Sequence, residues 1–298
     1  MYTIKKLDTL TLAEVVETWN EGFKGYYSDA TMTVDSFVAR MVKENLKPSL
    51  SIVAFDGEKP VGILLSGVQD VNGSRVSWNG GTAVIPDYRK KGVGLALVEA
   101  SLKIYEEEKV DVATLEAFSI NEKAINLYKK MGYEVIDSLN WMQNDNSIAP
   151  ELLDFSIEKT DLSFVTKTMQ EVQSLPIYNK EIKPWQTEWF NLRQDGELLL
   201  VLESGTPIGY FLYRHVLDQE GKKTATVLYQ AEVKSGTSDE ETIIKAGLKE
   251  LLTPLDAIKR MVVNLPSKKE SVTRILKEIG FTVAVEQVLM TKPLKKVN

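Results

Sequence analysis

The chain has 298 residues, 43% hydrophobic and 26% charged, so its size favours two domains and its composition is that of an ordinary folded protein. With no cysteine and one histidine, disulfides, thiolate metal sites and Cys nucleophiles are excluded, no metal site is expected, and the lone His215 reads as a surface or packing residue. The net charge of -6 is spread over both halves, with 16 basic and 21 acidic residues in 1–145 and 20 and 21 in the rest, which argues against a nucleic-acid partner.

No signal-peptide core follows Met1-Tyr2-Thr3-Ile4 and no apolar run is long enough to span a bilayer, so the expected location is the cytoplasm, without a membrane partner. An early helical pattern is interrupted at Asn20-Glu21-Gly22-Phe23-Lys24-Gly25-Tyr26-Tyr27 by two glycines and an aromatic cluster. Residues 51–65 read as a β-hairpin turning at Gly57. A strand at 80–85 then leads through Pro86-Asp87-Tyr88-Arg89-Lys90-Lys91-Gly92-Val93-Gly94 into a helix beginning near Leu95. Glycines at 92 and 94 let the backbone turn tightly and approach an anion, and the helix dipole and three basic side chains point the same way, which suits a pyrophosphate. The run Glu106-Glu107-Glu108 is a solvated helix end. A strand through Leu115 and Glu116 leads to Asn121, a short helix with Leu127-Tyr128, and Gly132-Tyr133.

The second half repeats the first. Leu198–Leu212 is a hairpin like 51–65, and Leu276-Lys277-Glu278-Ile279-Gly280-Phe281 matches the helix end at Leu127–Tyr133. Gly132 and Gly280 lie 148 apart, and Gly62 and Gly209 lie 147 apart. The polar stretch Gln143–Ser147 before Pro150 marks the joint, giving expected domains 1–145 and 151–298. Each half orders as strand, helices, strand meander, helix, strand, helix and strand, an α/β arrangement with a mixed sheet. Trp185 and Trp189 are expected on one helix face, as core.

The loop and the Asn-to-Tyr helix together resemble the acetyl-CoA-binding signatures of the GNAT superfamily of N-acetyltransferases. The resemblance is specific over residues 1–140 and weaker beyond, and it implies two GNAT-like acyl-CoA N-acyltransferase domains in tandem, with acetyl-CoA as cosubstrate. It further implies that the loop amides from Arg89 through Lys90, Lys91, Gly92, Val93 and Gly94 to Leu95 hold the pyrophosphate. By the same likeness the strand at Thr82, Ala83 and Val84 splays to pair with pantetheine, Asn121 lies beside the cofactor and Tyr128 lies near the thioester sulfur. A phenol with an ordinary pKa near 10 is protonated at neutral pH, which fits Tyr128 for general acid. No carboxylate precedes the loop at Ser77–Thr82, so Glu116 is the first candidate base and Asp70 the second. Phe23, Tyr26 and Tyr27 resemble the segment that some members place over the acceptor. The implied reaction is direct transfer of an acetyl group to a primary amine of a small molecule or peptide. The alternatives are an acyl-CoA-binding module without turnover and a transferase for a longer acyl chain.

In the second domain an offset of 148 carries the loop onto Thr237-Ser238-Asp239-Glu240-Glu241-Thr242 and Tyr128 onto Leu276. Both glycines and the phenol are gone and three carboxylates are present, so a degenerate domain without a cofactor loop is expected, serving stability or walling the acceptor cleft.

Overall fold

The computed structural model describes residues 2–154, 162–237 and 239–295. In chain order, the first half forms β1 (Thr3–Lys6), α1 (Leu12–Gly22), α2 (Val34–Lys43), β2 (Ile52–Asp56), β3 (Lys59–Val71), β4 (Ser74–Val84), α3 (Val93–Glu107), β5 (Val112–Phe118), α4 (Glu122–Lys130) and β6 (Glu134–Asn144). The second half forms β7 (Leu162–Lys167), α5 (Trp189–Leu192), β8 (Glu197–Glu203), β9 (Thr206–Leu217), β10 (Lys223–Val233), α6 (Glu240–Leu252), β11 (Lys259–Pro266), α7 (Glu270–Glu278) and β12 (Thr282–Pro293).

Local chemistry sets these limits. Capping boxes start α1 (Thr11 with Glu14) and α2 (Thr33 with Ser36), each satisfying amides that the helix leaves unpaired. Asn72-Gly73 and Ser204-Gly205 take positive φ at both positions, the primed turn that matches strand twist, and close the β3–β4 and β8–β9 hairpins.

The chain forms two compact units, Met1–Ile136 with Val288–Asn298, and Asp137–Gln287. It leaves the first unit inside β6 and re-enters it inside β12. The first unit's sheet therefore runs β1-β2-β3-β4-β5-β12, ending in a strand from the far end of the sequence, and the second runs β6-β11-β10-β9-β8-β7. The polar stretch 143–147 lies at the end of β6 and just beyond it. β4 and β5 pair in parallel, as do β10 and β11.

In the first unit, α3 lays Val93, Leu97, Val98 and Leu102 against Ile52, Ala54, Leu64 and Ala113, and Met290 of β12 is buried in the same cluster. Each Val, Leu, Ile or Met side chain contributes roughly 1.5–3 kcal/mol when fully buried. The second unit is built alike, with Ile243, Ile244 and Leu248 of α6 and Ile275 and Leu276 of α7 packed around Met142 of β6. The exchanged strands do matching work. Gly132 after α4 abuts Lys292 of β12, and Gly280 after α7 abuts Asn144 of β6, whose amide donates to Ile279 O at 3.0 Å.

Trp185 and Trp189 do not share a helix. Trp185 lies in the 3-10 turn Trp185–Thr187, Glu188 is extended at φ -69° and ψ 141°, and Trp189 opens the short α5. The break leaves Thr187 O free to accept from Gln230 Nε2 at 2.7 Å, a bond that a continuous helix would compete for.

Candidate active site

The first unit opens between two parallel strands. Pairing of β4 with β5 runs from Val76↔Val112 to Asn79↔Leu115, while the strands continue to Val84 and Phe118. A bulge at Gly80 causes the divergence, because one extra residue in β4 faces the Leu65–Ser66 step of β3 and bends the strand. The Asn79 amide spans the bulge, accepting from Gly81 N at 3.1 Å and donating to Thr82 Oγ1 at 2.9 Å. Arg40 of α2 donates to Gly80 O at 2.5 Å. Gly81 has φ +150°, and a Cβ there would stand 2.7 Å from the Trp19 ring, so only glycine lets the strand pass beneath α1. Thr82, Ala83 and Val84 pair along one edge with Leu64, Ile63 and Gly62, and their other edge borders the opening.

The loop after β4 leads to the start of α3. Gly92 is the N-cap, with φ +87° and nothing within 4 Å of the point a Cβ would occupy, so its requirement is conformational and not steric. Lys90 also takes positive φ, at 62°. The first helical bond runs from Ala96 N to Gly92 O at 3.0 Å, so the amides of Val93, Gly94 and Leu95 precede the ladder and point out of the helix end. Gly94 packs close to Leu127, which brings α3 and α4 together at this point. Lys91 Nζ lies 5.4 Å from the Tyr88 ring centroid. Arg89 is differently engaged. Its Nε donates to Val84 O at 3.0 Å, and its Nη2 donates to Gly22 O at 3.0 Å and Lys24 O at 2.5 Å.

Tyr128 is the seventh residue of α4 and is buried, and its hydroxyl accepts from Asn79 Nδ2 at 3.4 Å. Burial pushes its pKa above the ordinary phenol value, partly opposed by a hydrogen bond with Thr82. Half-buried Glu116 accepts from Trp78 Nε1 at 2.5 Å. Asp70 stands apart, exposed beside the β3–β4 turn and 3.4 Å from Arg75. Asn121 caps α4, accepting from Ala124 N at 3.3 Å, and also bonds the Tyr26 phenol. Phe23 packs on Trp19 at 4.3 Å and reaches Gly81. Tyr26 stacks on Phe118 at 5.5 Å, with its pKa raised by burial, and exposed Tyr27 meets the Phe118 edge at 6.3 Å.

Asn79, Trp78 and Phe118 were not singled out from the sequence. For Asn79 the available signal is an amide side chain directly before Gly80-Gly81, where a bulge leaves backbone groups to satisfy.

The second unit has the same opening. Pairing of β10 with β11 ends at Leu228↔Val262, β10 bulges at Tyr229, and the strands continue to Val233 and Pro266. It is filled differently. Gly62 abuts Val93 and Ala83 O, and Gly209 abuts Ile243 and Glu232 O, so Ile243 is the counterpart of Val93 and Glu232 that of Ala83. The helix equivalence is thus an offset of 150, not 148, and places Asp239–Thr242 where the first unit has Arg89–Gly92. Of the expected loop positions, Ser238 lies outside the described residues. The segment 240–242 is helical: α6 begins about one turn earlier than α3, because Asp239 caps it by accepting from Thr242 N at 3.3 Å. Glu241 binds Arg274 of α7 at 2.7 Å and Lys245 at 2.8 Å, and Glu232 binds Lys269, the N-cap of α7, at 2.6 Å. Gln230 and Asn264 hold the 185–187 turn, through Thr187 O and Gln186 Oε1. Beside it, Glu188 is 3% exposed, accepts from Tyr178 at 3.3 Å and has its pKa pushed up to about 7 by burial. Buried Leu276 occupies the seventh position of α7, where α4 has Tyr128.

Residues 12–133, within the first unit, match the sequence model of the Acetyltransferase (GNAT) family. Members of that family use acyl-CoA donors. An N-alpha-acetyltransferase of Sulfurisphaera tokodaii is 39% identical over 71 residues, a match spanning 22% of this chain and 41% of that relative. The tandem GNAT protein of the clavulanic acid biosynthesis pathway superposes with a TM-score of 0.62 at 13% identity, over 100% of this chain and 99% of its own. A GCN5-related N-acetyltransferase from Sphaerobacter thermophilus gives 0.63 at 12%, over 99% and 96%. The glucosamine N-acetyltransferase region of a fungal multi-domain GH3 beta-N-acetylglucosaminidase gives 0.70 at 16%, covering 98% of this chain and 38% of that one. The fold is therefore that of a tandem GNAT protein. Among the described residues, no helix is long and apolar enough to cross a membrane, and no group of three or more His, Asp or Glu is placed to hold a metal.

Proposed function

We propose that the protein transfers an acetyl group from acetyl-CoA directly to a primary amine of a small molecule or peptide, in the first unit alone. The observation that carries this reading is the end of β4–β5 pairing at Asn79 and Leu115, with the buried Tyr128 phenol facing Asn79 and Thr82 and the start of α3 close by. The residues fit the donor. The amides of Val93 to Leu95, with Lys90 and Lys91, receive the pyrophosphate, and the outer edge of Thr82–Val84, on which Val84 O is already engaged by Arg89, borders the pantetheine. Asn121 and the face of α4 border the same path.

Glu116, held by the Trp78 indole, takes the proton that the amine loses as its C–N bond forms. Tyr128 gives a proton to the sulfur as the C–S bond breaks, and its raised pKa keeps that proton in place at neutral pH. The absence of cysteine in the sequence closes the Cys-based covalent route and agrees with direct transfer. Phe23, Tyr26 and Tyr27 line the acceptor side. The relatedness to an N-alpha-acetyltransferase supports a peptide α-amine among the acceptors to test first.

The test is a panel of peptide α-amines, polyamines, amino sugars and amino acids, incubated with acetyl-CoA and followed by thiol release. Turnover above the hydrolytic background on at least one amine is expected. Tight acetyl-CoA binding with no turnover on any class would replace catalysis by a binding role.

A further inference from the structure

The engagement of Arg89 is the feature that the acyl-CoA reading does not absorb. It belongs to the loop whose positive charges are expected to meet a pyrophosphate, yet three of its N–H bonds are spent on backbone carbonyls of other segments. Two of those carbonyls, of Gly22 and Lys24, lie at the C-terminal end of α1, where helical carbonyls lack intrahelical donors and the dipole is negative. A guanidinium is well suited to that place, since its fixed fork can serve several carbonyls at once.

The segment so held is the one that carries the acceptor-side rings. From Gly22 the chain runs through Phe23, packed on Trp19, to Tyr26, stacked on Phe118 and bonded to Asn121. Gly22 itself lies against β4, where a Cβ would stand 2.7 Å from the Ala83 side chain, so the segment has a fixed base and a tip that is set by its contacts. On its other side Arg89 is tied to the donor loop, with its own amide bonded to Pro86 O at 3.1 Å and Lys90 in the left-handed conformation next to it.

We propose that Arg89 is a positioning residue that links the acyl-CoA loop to the acceptor loop at 22–27, so that donor binding orders the loop that receives the amine. This rests on the acyl-CoA reading of the first unit. Fixing the donor loop fixes Arg89, which in turn holds the carbonyls of Gly22 and Lys24. The ordering cost of the acceptor loop is then met in part before the amine arrives, and the coupling is reciprocal.

The informative variant is Arg89→Met, which keeps the side-chain length and removes every donor. Arg89→Glu would repel the phosphates whichever role Arg89 has. In the full wild-type chain, acetyl-CoA should slow amide hydrogen exchange both at the start of α3 and across residues 22–30. In Arg89→Met, calorimetric acetyl-CoA affinity should stay within about threefold and protection at α3 should persist, while the acetyl-CoA-dependent slowing across 22–30 is lost. Arg89→Lys, which can still reach one or two carbonyls, should recover part of it. Loss of about tenfold or more in acetyl-CoA affinity, with exchange across 22–30 unchanged, would make Arg89 a phosphate ligand and overturn the proposal. Full acetyl-CoA-dependent slowing across 22–30 in Arg89→Met would overturn it as well. If wild-type protein shows no acetyl-CoA binding, the acyl-CoA reading itself fails, and that result is visible before any variant is made.

Discussion

The two units share a frame and differ in what stands inside it. Both split a parallel strand pair after four residue pairs, both bulge the strand before the split, and both set a nine-residue helix beyond it. In the first unit the split is bordered by Ala83, Gly81, the capping Asn121 and a phenol. In the second the counterparts include Glu232 bonded to Lys269, Gln230 bonded to Thr187 O, and Leu276, and the loop before the helix has been taken up into an extra turn. The diverging strands are a property of the bulged sheet, present in both units whatever borders the opening. What differs is the side chains at the border, and in the second unit Glu232 of β10 is bonded to Lys269 at the start of α7.

The largest effect should come from the residue with the sharpest contrast. Tyr128→Phe keeps the packing but removes the donor, and should lower turnover roughly 10- to 1,000-fold with acetyl-CoA affinity little changed. Because burial raises the phenol pKa, any alkaline loss of kcat owed to Tyr128 should fall above pH 10, so activity should hold through pH 9. A Tyr128→Phe enzyme with wild-type turnover would leave the two helices equivalent in function.

Next is the loop. Gly92→Val forces a branched residue into φ +87° and should weaken acetyl-CoA binding about tenfold or more, whereas Thr242→Val at the matching position of the second unit should leave it unchanged. Calorimetry should give one acetyl-CoA per chain, and two sites, or one site sensitive only to Thr242, would reverse the comparison.

Stability effects follow. Glu232→Ala leaves Lys269 half-buried without its partner, and should destabilise the second unit more than Glu232→Ala with Lys269→Ala together. Neither change should create a second acetyl-CoA site, since Glu241 stays paired with Arg274 at the start of α6 and Gln230 of β10 stays bonded to Thr187 O.

The smallest effect is a pH slope. Glu188 is held protonated by burial, so its folded pKa, about 7, lies above the unfolded carboxylate value. The folded state then binds the extra proton between those two values, and this group's contribution to stability is full at low pH and declines as pH rises toward 7. Glu188→Gln should therefore stabilise the second unit at pH 8 relative to wild type and have little effect at pH 4, measured by chemical denaturation. A variant equally displaced at both pH values would assign the effect to packing.

The repeat, the hairpins, the loop into α3 and the placement of Tyr128 were legible because each rests on local pattern: glycines at turns, basic residues before a helix, apolar spacing. What escaped is non-local. Arg89 bonds carbonyls 65 and 67 residues away, and a backbone acceptor leaves no mark in the sequence. The helix register in the second unit was displaced by two because the chain from Ile243 to Gly280 is two residues shorter than that from Val93 to Gly132, so counting from Gly280 gave the wrong partner. The expected helix through Trp185 and Trp189 failed because Thr187 O is taken by Gln230. The exchange of β6 and β12 was invisible for a different reason. Both strands stand at the same place in the repeat, and their apolar patterns read the same whichever sheet they complete.

That exchange bears on how the protein is made. Until Val288 leaves the ribosome, β5 has no partner on its outer edge, and the pocket later filled by Met290 stands empty. At ordinary synthesis rates the interval from Ile136 to Val288 is roughly 8 to 30 seconds. Throughout it the nascent first unit presents an open strand edge, the surface by which unfinished sheets capture one another. The half of the protein that is translated first is therefore the half whose sheet is completed last.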